Sequence, residues 1–94
     1  MPKPPPVSAA AAELGRRLRQ RRKAANFTQL ELAYQAASTV AAISNYENGR
    51  MLPSLTTLLD LAYVLQVDPG ELVSQLKPDT SPADRLGTGR RVER

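Results

Sequence analysis

Residues 28–49, TQLELAYQAASTVAAISNYENG, decide the fold, because they contain two helix starts and one helix end. Thr28 is followed three residues later by Glu31, which is the pattern of a capping box. In such a box each of the two side chains accepts a hydrogen bond from the backbone of the other residue. The pattern therefore predicts a short helix over residues 29–36.

A second helix start lies in the same stretch. Thr39 is a good N-cap, and Gly49 can adopt the left-handed conformation that ends many helices. These two residues bound a predicted helix over residues 40–48. Two short helices separated by about three residues have the spacing of a helix-turn-helix motif.

Helix signals continue on both sides of this pair. Ser8 can cap a first helix that runs to about Ala25, and Pro53-Ser54 begins a fourth. Asp68-Pro69-Gly70-Glu71 has the pattern of a second capping box and opens a fifth. Strand signals are missing, since no segment alternates over six residues and aromatic residues are only 4%. The predicted fold is all-α, a compact bundle of five short helices.

The two ends differ in composition from the middle. Residues 1–7 form a proline-rich arm that we expect to be extended and flexible. Residues 78–94 are rich in Pro, Gly, Ser, Thr and charge, and have too few large aliphatic side chains to offset the entropy of ordering. We expect that tail to be disordered, which leaves residues 8–77 as the folded domain.

Composition excludes several classes of protein. The chain of 94 residues has no cysteine and no histidine, so the commonest metal ligands and the Ser-His and Cys-His catalytic pairs are missing. We therefore expect no enzyme, no bound metal and no cofactor. The longest apolar runs are far below the roughly 20 residues of a membrane span, so a soluble, cytoplasmic protein is expected. A net charge of +4 favours an anionic partner such as nucleic acid.

Helical periodicity divides the third helix into two faces. Ile43, Tyr46 and Glu47 stand at i, i+3 and i+4 and should face the core. The opposite stripe carries short side chains without any acidic group that would repel a phosphate backbone. Its members are Ala41, Asn45 and Asn48, flanked by Val40 and Ser44.

Arg22 continues the row of Leu14 and Leu18 on the first helix and so should point toward the core. A buried guanidinium needs a partner, and Glu47 lies on the inward face of the third helix. The spacing predicts a buried ion pair between Arg22 and Glu47. The alternative is that Arg22 reaches solvent along its aliphatic stem.

The pattern Gln-x-x-Leu-Ala at residues 29–33, followed ten residues later by Ile-Ser-x-Tyr-Glu-x-Gly at residues 43–49, closely resembles the phage-repressor helix-turn-helix family. This is the Cro/lambda-repressor-like, xenobiotic-response-element type, and the resemblance covers about residues 14–76. It implies a five-helix domain in a bacterial or phage-encoded regulator of the repressor type. It also implies binding to operator DNA, usually as a homodimer on a two-fold-related site.

The resemblance also implies roles for individual residues. The start of the second helix would meet the DNA backbone, with Gln29 as the phosphate-contacting residue beside Thr28. The side chains entering the major groove would be Thr39, Val40, Ala41 and Ala42, with Ser44 and Asn45 one turn further along. Asn48 and Arg50 match backbone-contacting positions, and Arg22 and Glu47 match a core ion pair of the family.

Two departures from the family pattern shape the expected mode of recognition. Val40, Ala41 and Ala42 cannot hydrogen-bond a base edge, although they can contact a thymine methyl group. Direct readout is then expected to rest on Asn45, which can pair with adenine, with Ser44 and Thr39 as further candidates. Ala37 replaces the usual glycine of the turn, at a cost of about 1 kcal/mol if its φ is positive.

Three points stay open from the sequence. The apolar surface of Val40, Ala41 and Ala42 is also compatible with a protein-interaction module or an antitoxin-like adaptor. The basic cluster of the first helix could meet the DNA backbone or form a solvated face; its members are Arg16, Arg17, Arg19, Arg21, Arg22 and Lys23. For a dimer, we expect an exposed apolar residue on the side of the fourth and fifth helices, namely Val73, Leu76 or Val64.

Overall fold

The computed structural model describes residues 4–85, and within that range the regular structure is helical. The elements are α1 Ala9–Ala24, α2 Gln29–Gln35, α3 Val40–Glu47, α4 Leu55–Leu65, α5 Pro69–Val73 and the one-turn α6 Pro82–Arg85. The predicted all-α fold and the five predicted helices are confirmed. Within residues 4–85, none of the helices combines the length and apolar character needed to span a membrane.

Local capping explains where the first four helices begin. The Ser8 and Thr39 hydroxyls each accept a hydrogen bond from the backbone N–H three residues on, at 3.0 Å. Ser54 does the same for α4 at 3.1 Å. Thr28 and Glu31 form the complete reciprocal capping box predicted for α2. These caps satisfy backbone donors that the first turn of a helix leaves without partners.

The second predicted capping box is wrong in its details. Asp68 does cap α5, but its carboxylate accepts from the N–H of Gly70 at 2.9 Å. Glu71 does not turn back to the cap, because its carboxylate forms a salt bridge with Arg21 of α1 at 2.7 Å. A partner on a neighbouring helix has replaced the local contact.

The core lies between α1, α2, α3 and α4, with a second apolar cluster where α1 and α4 meet α5. Leu18, Leu32, Ile43 and Leu61 come from four different helices and are at most 1% exposed. The second cluster is built from Leu14, Leu58, Ala62 and Leu72. Burying these side chains holds the short helices together, because helices of five to eleven residues are marginal alone.

α1 crosses α3 at unusually close range, and Gly15 makes this possible. A Cβ atom at Gly15 would lie 2.4 Å from the carbonyl oxygen of Tyr46 and 2.5 Å from that of Glu47. Only a hydrogen atom fits between the two helices at that point. The end of α3 is therefore fixed directly against the backbone of α1.

The described parts of both chain ends contact the helical domain. The N–H of Val7 donates to the carbonyl of Gly49 at 2.8 Å, and Pro6 lies against the same glycine. Asp79 accepts from the N–H of Ala9 at 3.0 Å. α6 is a helical turn within the segment expected to be disordered. None of its residues is buried. Residues 1–3 and 86–94 lie outside the described range, so the flexibility of the arm and of the tail stays a prediction.

Candidate nucleic-acid interface

The turn between α2 and α3 is tight, and Ala37 lies in it. Ala37 adopts a positive φ of 54°, the left-handed conformation that favours glycine. The N–H of Ser38 then donates to the carbonyl of Ala33 at 2.8 Å and closes the turn. An alanine in this conformation costs about 1 kcal/mol relative to glycine, so packing of the two helices must hold the turn in place.

α3 is anchored along one face, as its periodicity predicted. Ile43 is fully buried, and Tyr46 and Glu47 are each 9% exposed. The Glu47 carboxylate receives the Arg22 guanidinium in a two-point contact, with Nε–Oε2 at 2.6 Å and Nη2–Oε1 at 3.0 Å. The predicted buried ion pair is thus present and joins α1 to α3. Its hydrogen bond raises the pKa of Arg22 above the ordinary arginine value.

Gln29 is linked to this ion pair as well as to the surface. Its side-chain Nε2 donates to Glu47 Oε1 at 3.0 Å. One amide hydrogen is thereby used inside the protein, while the second hydrogen and the amide oxygen of this half-buried residue remain for an outside partner. Gln29 therefore connects the start of α2 to the inner face of α3.

The outward side of α3 is exposed in its first turn and half-buried further along, at Ser44 and Asn45. Thr39, Val40 and Ala41 are exposed, with Val40 at 40%. Ala42 differs from these, because it is only partly exposed and packs against the main core cluster. The hydroxyls of Thr28 and Thr39 both accept capping hydrogen bonds, so each retains its O–H as a donor.

The last turn of α3 and the following loop carry the remaining predicted polar contacts. Asn48 donates its side-chain amide to the carbonyl of Ser44 at 2.9 Å, and Asn45 donates to the sulfur of Met51 at 3.4 Å. Arg50 is half-buried, and within residues 4–85 its Nε is the buried side-chain atom without a partner. Ser44, Asn45, Asn48 and Arg50 therefore lie together at one end of the exposed face.

Most basic side chains of the cluster on α1 form salt bridges or hydrogen bonds within the protein. Arg16 and Arg17 both bind Glu13, and Arg17 also donates to the carbonyls of Leu72 and Ser74 at 3.3 and 2.8 Å. Hydrogen bonds from the two arginines lower the pKa of Glu13 to about 2. Arg21 pairs with Glu71, as described above. Contacts within the protein thus account for four of the six basic side chains. Arg16 pairs within α1, whereas Arg17 and Arg21 hold α1 to α5 and Arg22 holds it to α3.

Comparison with known families decides the classification. A family model described as a helix-turn-helix domain matches residues 13–76, which is more than half of the chain. The chain belongs to the helix-turn-helix family. A comparison with curated protein sequences finds no significant match.

Solved structures place this helix-turn-helix protein among the Cro/lambda-repressor-like members, as its motifs indicated. The restriction-modification controller protein C.AhdI from Aeromonas hydrophila is 33% identical, with a TM-score of 0.66 over 68% of this chain and 97% of that one. The P22 c2 repressor protein, solved in complex with a synthetic operator, is also 33% identical, with a TM-score of 0.63 over 65% and 92%.

A third similar structure is SinR of Bacillus subtilis, described as a master regulator for biofilm formation and solved in complex with DNA. It is 29% identical, with a TM-score of 0.63 over 65% of this chain and 98% of that one. All three matches cover nearly the whole of the other chain. The likeness therefore concerns the complete helical domain of this helix-turn-helix protein.

Two features of this helix-turn-helix domain that bear on its function were not predicted from the sequence. The contact of Asn45 with Met51 depends on the path of the loop after α3, which no local pattern predicts. The other feature is a row of exposed apolar side chains on α4: Leu55 at 70%, Leu59 at 46% and Tyr63 at 85% exposure. Their spacing of four residues was a usable signal, since it places them on one side of the helix.

Proposed function

We propose that the protein regulates transcription as a repressor-like factor by placing α3 in the major groove of operator DNA. The chain is a sequence-specific DNA-binding regulator, as its family match and its repressor-like neighbours indicate. One observation supports the docking mode most directly. α3 is fixed on its inner face by Ile43 and Glu47, while its outer face is exposed in the first turn and partly exposed at Ser44 and Asn45. A rigid helix with a free face suits insertion into a groove.

The side chains of α2 and α3 suggest which residues contact the DNA backbone and which contact the bases. Gln29 would contact a phosphate with its remaining amide hydrogen, which positions the protein without reading sequence. Val40 and Ala41 would contact thymine methyl groups, and Asn45 would pair with adenine. The buried Nε of Arg50 has no partner in the free protein, which supports a movement of this side chain when a phosphate is present.

Selection of binding sites from random DNA, followed by two variants, tests this division. Asn45→Ala should reduce discrimination at one base pair by about 5- to 150-fold, because a bidentate amide–adenine contact is lost. Gln29→Ala should weaken binding to every sequence alike, by about tenfold, because a phosphate contact is lost and no base contact is. Affinities are measured by fluorescence anisotropy at several salt concentrations.

Gln35→Ala supplies the control, since it changes an exposed glutamine at the other end of α2 and should leave DNA affinity unchanged. DNA binding also requires that log affinity falls linearly with log salt concentration. If neither Asn45→Ala nor Gln29→Ala changed DNA affinity at low salt, the docking mode would be wrong. The apolar surface of Val40 and Ala41 would then favour the protein-interaction module.

We further propose that two copies bind a two-fold-related operator, with half-sites about 34 Å apart. Val73 is exposed, as expected for a dimer contact, whereas Val64 and Leu76 pack partly against the two core clusters. The exposed row of Leu55 and Leu59 extends the apolar surface available to a second copy. An exposed apolar row suits a self-complementary contact about a two-fold axis.

Leu55→Lys should shift the protein toward monomer, because a charge would have to be buried between the copies. Sedimentation velocity at high micromolar concentration measures the change. Leu30→Lys on α2 is the matched control, since Leu30 is 66% exposed and Leu55 is 70% exposed. That control should sediment as the unmodified protein does. A monomeric unmodified protein at these concentrations would contradict the dimer.

A further inference from the structure

The loop after α3 folds back onto Asn45 through both its backbone and a side chain. The N–H groups of Arg50 and Met51 donate to the carbonyl of Asn45 at 2.9 and 3.4 Å. The side-chain Nδ2 of Asn45 donates to the Met51 sulfur at 3.4 Å. Met51 is 46% exposed, so this contact lies at the surface and not in the core. Its loss should leave the fold intact.

The chemistry of the sulfur fixes which way the Asn45 amide points. A thioether can only accept a hydrogen bond, and it does so weakly. The amide therefore turns its NH₂ group, and not its oxygen, toward Met51. The second N–H and the oxygen of Asn45 are then held in one orientation, and a bidentate contact with adenine requires such a fixed donor and acceptor pair.

We propose that Met51 is a specificity-positioning residue for Asn45, and that oxidation of its thioether to the sulfoxide lowers base discrimination. The inference rests on the proposed DNA-reading role of Asn45. Met51 acts through the amide and needs no contact with DNA itself. Its exposure makes the sulfur accessible to a peroxide, whereas a buried methionine would be protected.

The oxidation is a two-electron oxygen transfer from hydrogen peroxide. The sulfur attacks one peroxide oxygen, the O–O bond breaks, an S–O bond forms, and the remaining oxygen leaves as water with both hydrogens. The product is a polar, chiral sulfoxide whose oxygen is a much stronger acceptor than the thioether. That oxygen would hold the Asn45 NH₂ in a new position and withdraw it from the base.

A double-mutant cycle tests the positioning role. The readout is the affinity ratio between the selected DNA site and the same site changed at the base pair that depends on Asn45. Met51→Leu keeps the volume but removes the acceptor, and should lower this ratio by about threefold to tenfold. In the Asn45→Ala background the same change should have no effect, because the group being positioned is absent. Affinity for unrelated DNA should not change in either background.

Oxidation of the unmodified protein provides a second test of the proposal. Treatment with hydrogen peroxide, with the modified residue located by mass spectrometry, should lower discrimination by more than Met51→Leu does. A methionine sulfoxide reductase should restore it. Met51→Leu protein treated in the same way is the control, because it keeps Met1 and lacks only the proposed target. Its discrimination should not respond to peroxide.

The outcomes separate this inference from the proposed function. If the unmodified protein selects no DNA sequence, the proposed function fails and the inference fails with it. If it selects a sequence through Asn45 but Met51→Leu discriminates as well as the unmodified protein, only the inference fails. A loss of discrimination by Met51→Leu that persists in the Asn45→Ala background would also overturn it, since Met51 would then act on DNA directly.

Discussion

Glu47→Ala is expected to lower the free energy of unfolding by about 3–5 kcal/mol, because it leaves a buried charge without its counterion. The Arg22 side chain is only 10% exposed and would retain the carbonyl of Phe27 as an acceptor, but no carboxylate. The Gln29 amide would lose its acceptor at the same time. Urea unfolding followed by far-ultraviolet circular dichroism measures the change.

Two further variants keep this expectation testable if the alanine variant does not fold. Glu47→Gln preserves shape and one acceptor, so it should be destabilised less than Glu47→Ala. The double change Arg22→Met with Glu47→Leu should also be less damaging than either single truncation, since no charge is then left buried. As a control, Glu13→Gln weakens two contacts nearer the surface, with Arg16 and Arg17, and should have a much smaller effect. A Glu47→Ala protein as stable as the unmodified one would show that Arg22 does not need its partner.

The ion pair could be predicted because helical spacing alone determines the faces of α1 and α3. Arg22 follows Leu14 and Leu18 at intervals of four residues, so its direction was fixed once the helix was recognised. Caps such as Thr28 with Glu31 are equally local, because both partners lie within one turn. Caps depend on a few neighbouring dihedral angles, and the sequence specifies those directly.

Other contacts between helices could not be predicted from the direction in which a side chain faces. Glu71 has the spacing of a capping residue, yet the approach of α1 gives it Arg21 as a partner. Arg17 belongs to a cluster that could have met DNA, but it ends among the carbonyls at the end of α5. The Asn45–Met51 contact depends on the loop path. A charged or polar side chain has several possible partners, and only the packing angles of the helices select one.

The close contact of α1 with α3 at Gly15 also depends on helix packing, and a substitution there should cause a second large loss of stability. Gly15→Ala is expected to destabilise the fold by about 1–3 kcal/mol or more, because its Cβ would overlap two backbone carbonyls of α3. At 2.4 and 2.5 Å from Tyr46 O and Glu47 O, neither obstacle is a side chain that can rotate away. α1 and α3 would have to move apart, and this outweighs the gain of about 1 kcal/mol in helix propensity that alanine brings. Thermal and urea unfolding measure the net change.

Gly70→Ala is the matched control, since the nearest atom to its added Cβ is an Asp68 carboxylate oxygen at an ordinary 3.4 Å. There alanine should be neutral or slightly stabilising, because only the propensity and the unfolded-chain entropy change. Moving α3 would also disturb the face that we propose for DNA, so Gly15→Ala should lose DNA affinity even where it remains folded. Equal stability of the Gly15→Ala and Gly70→Ala proteins would mean that the two helices can separate without cost, which the close packing of protein interiors argues against.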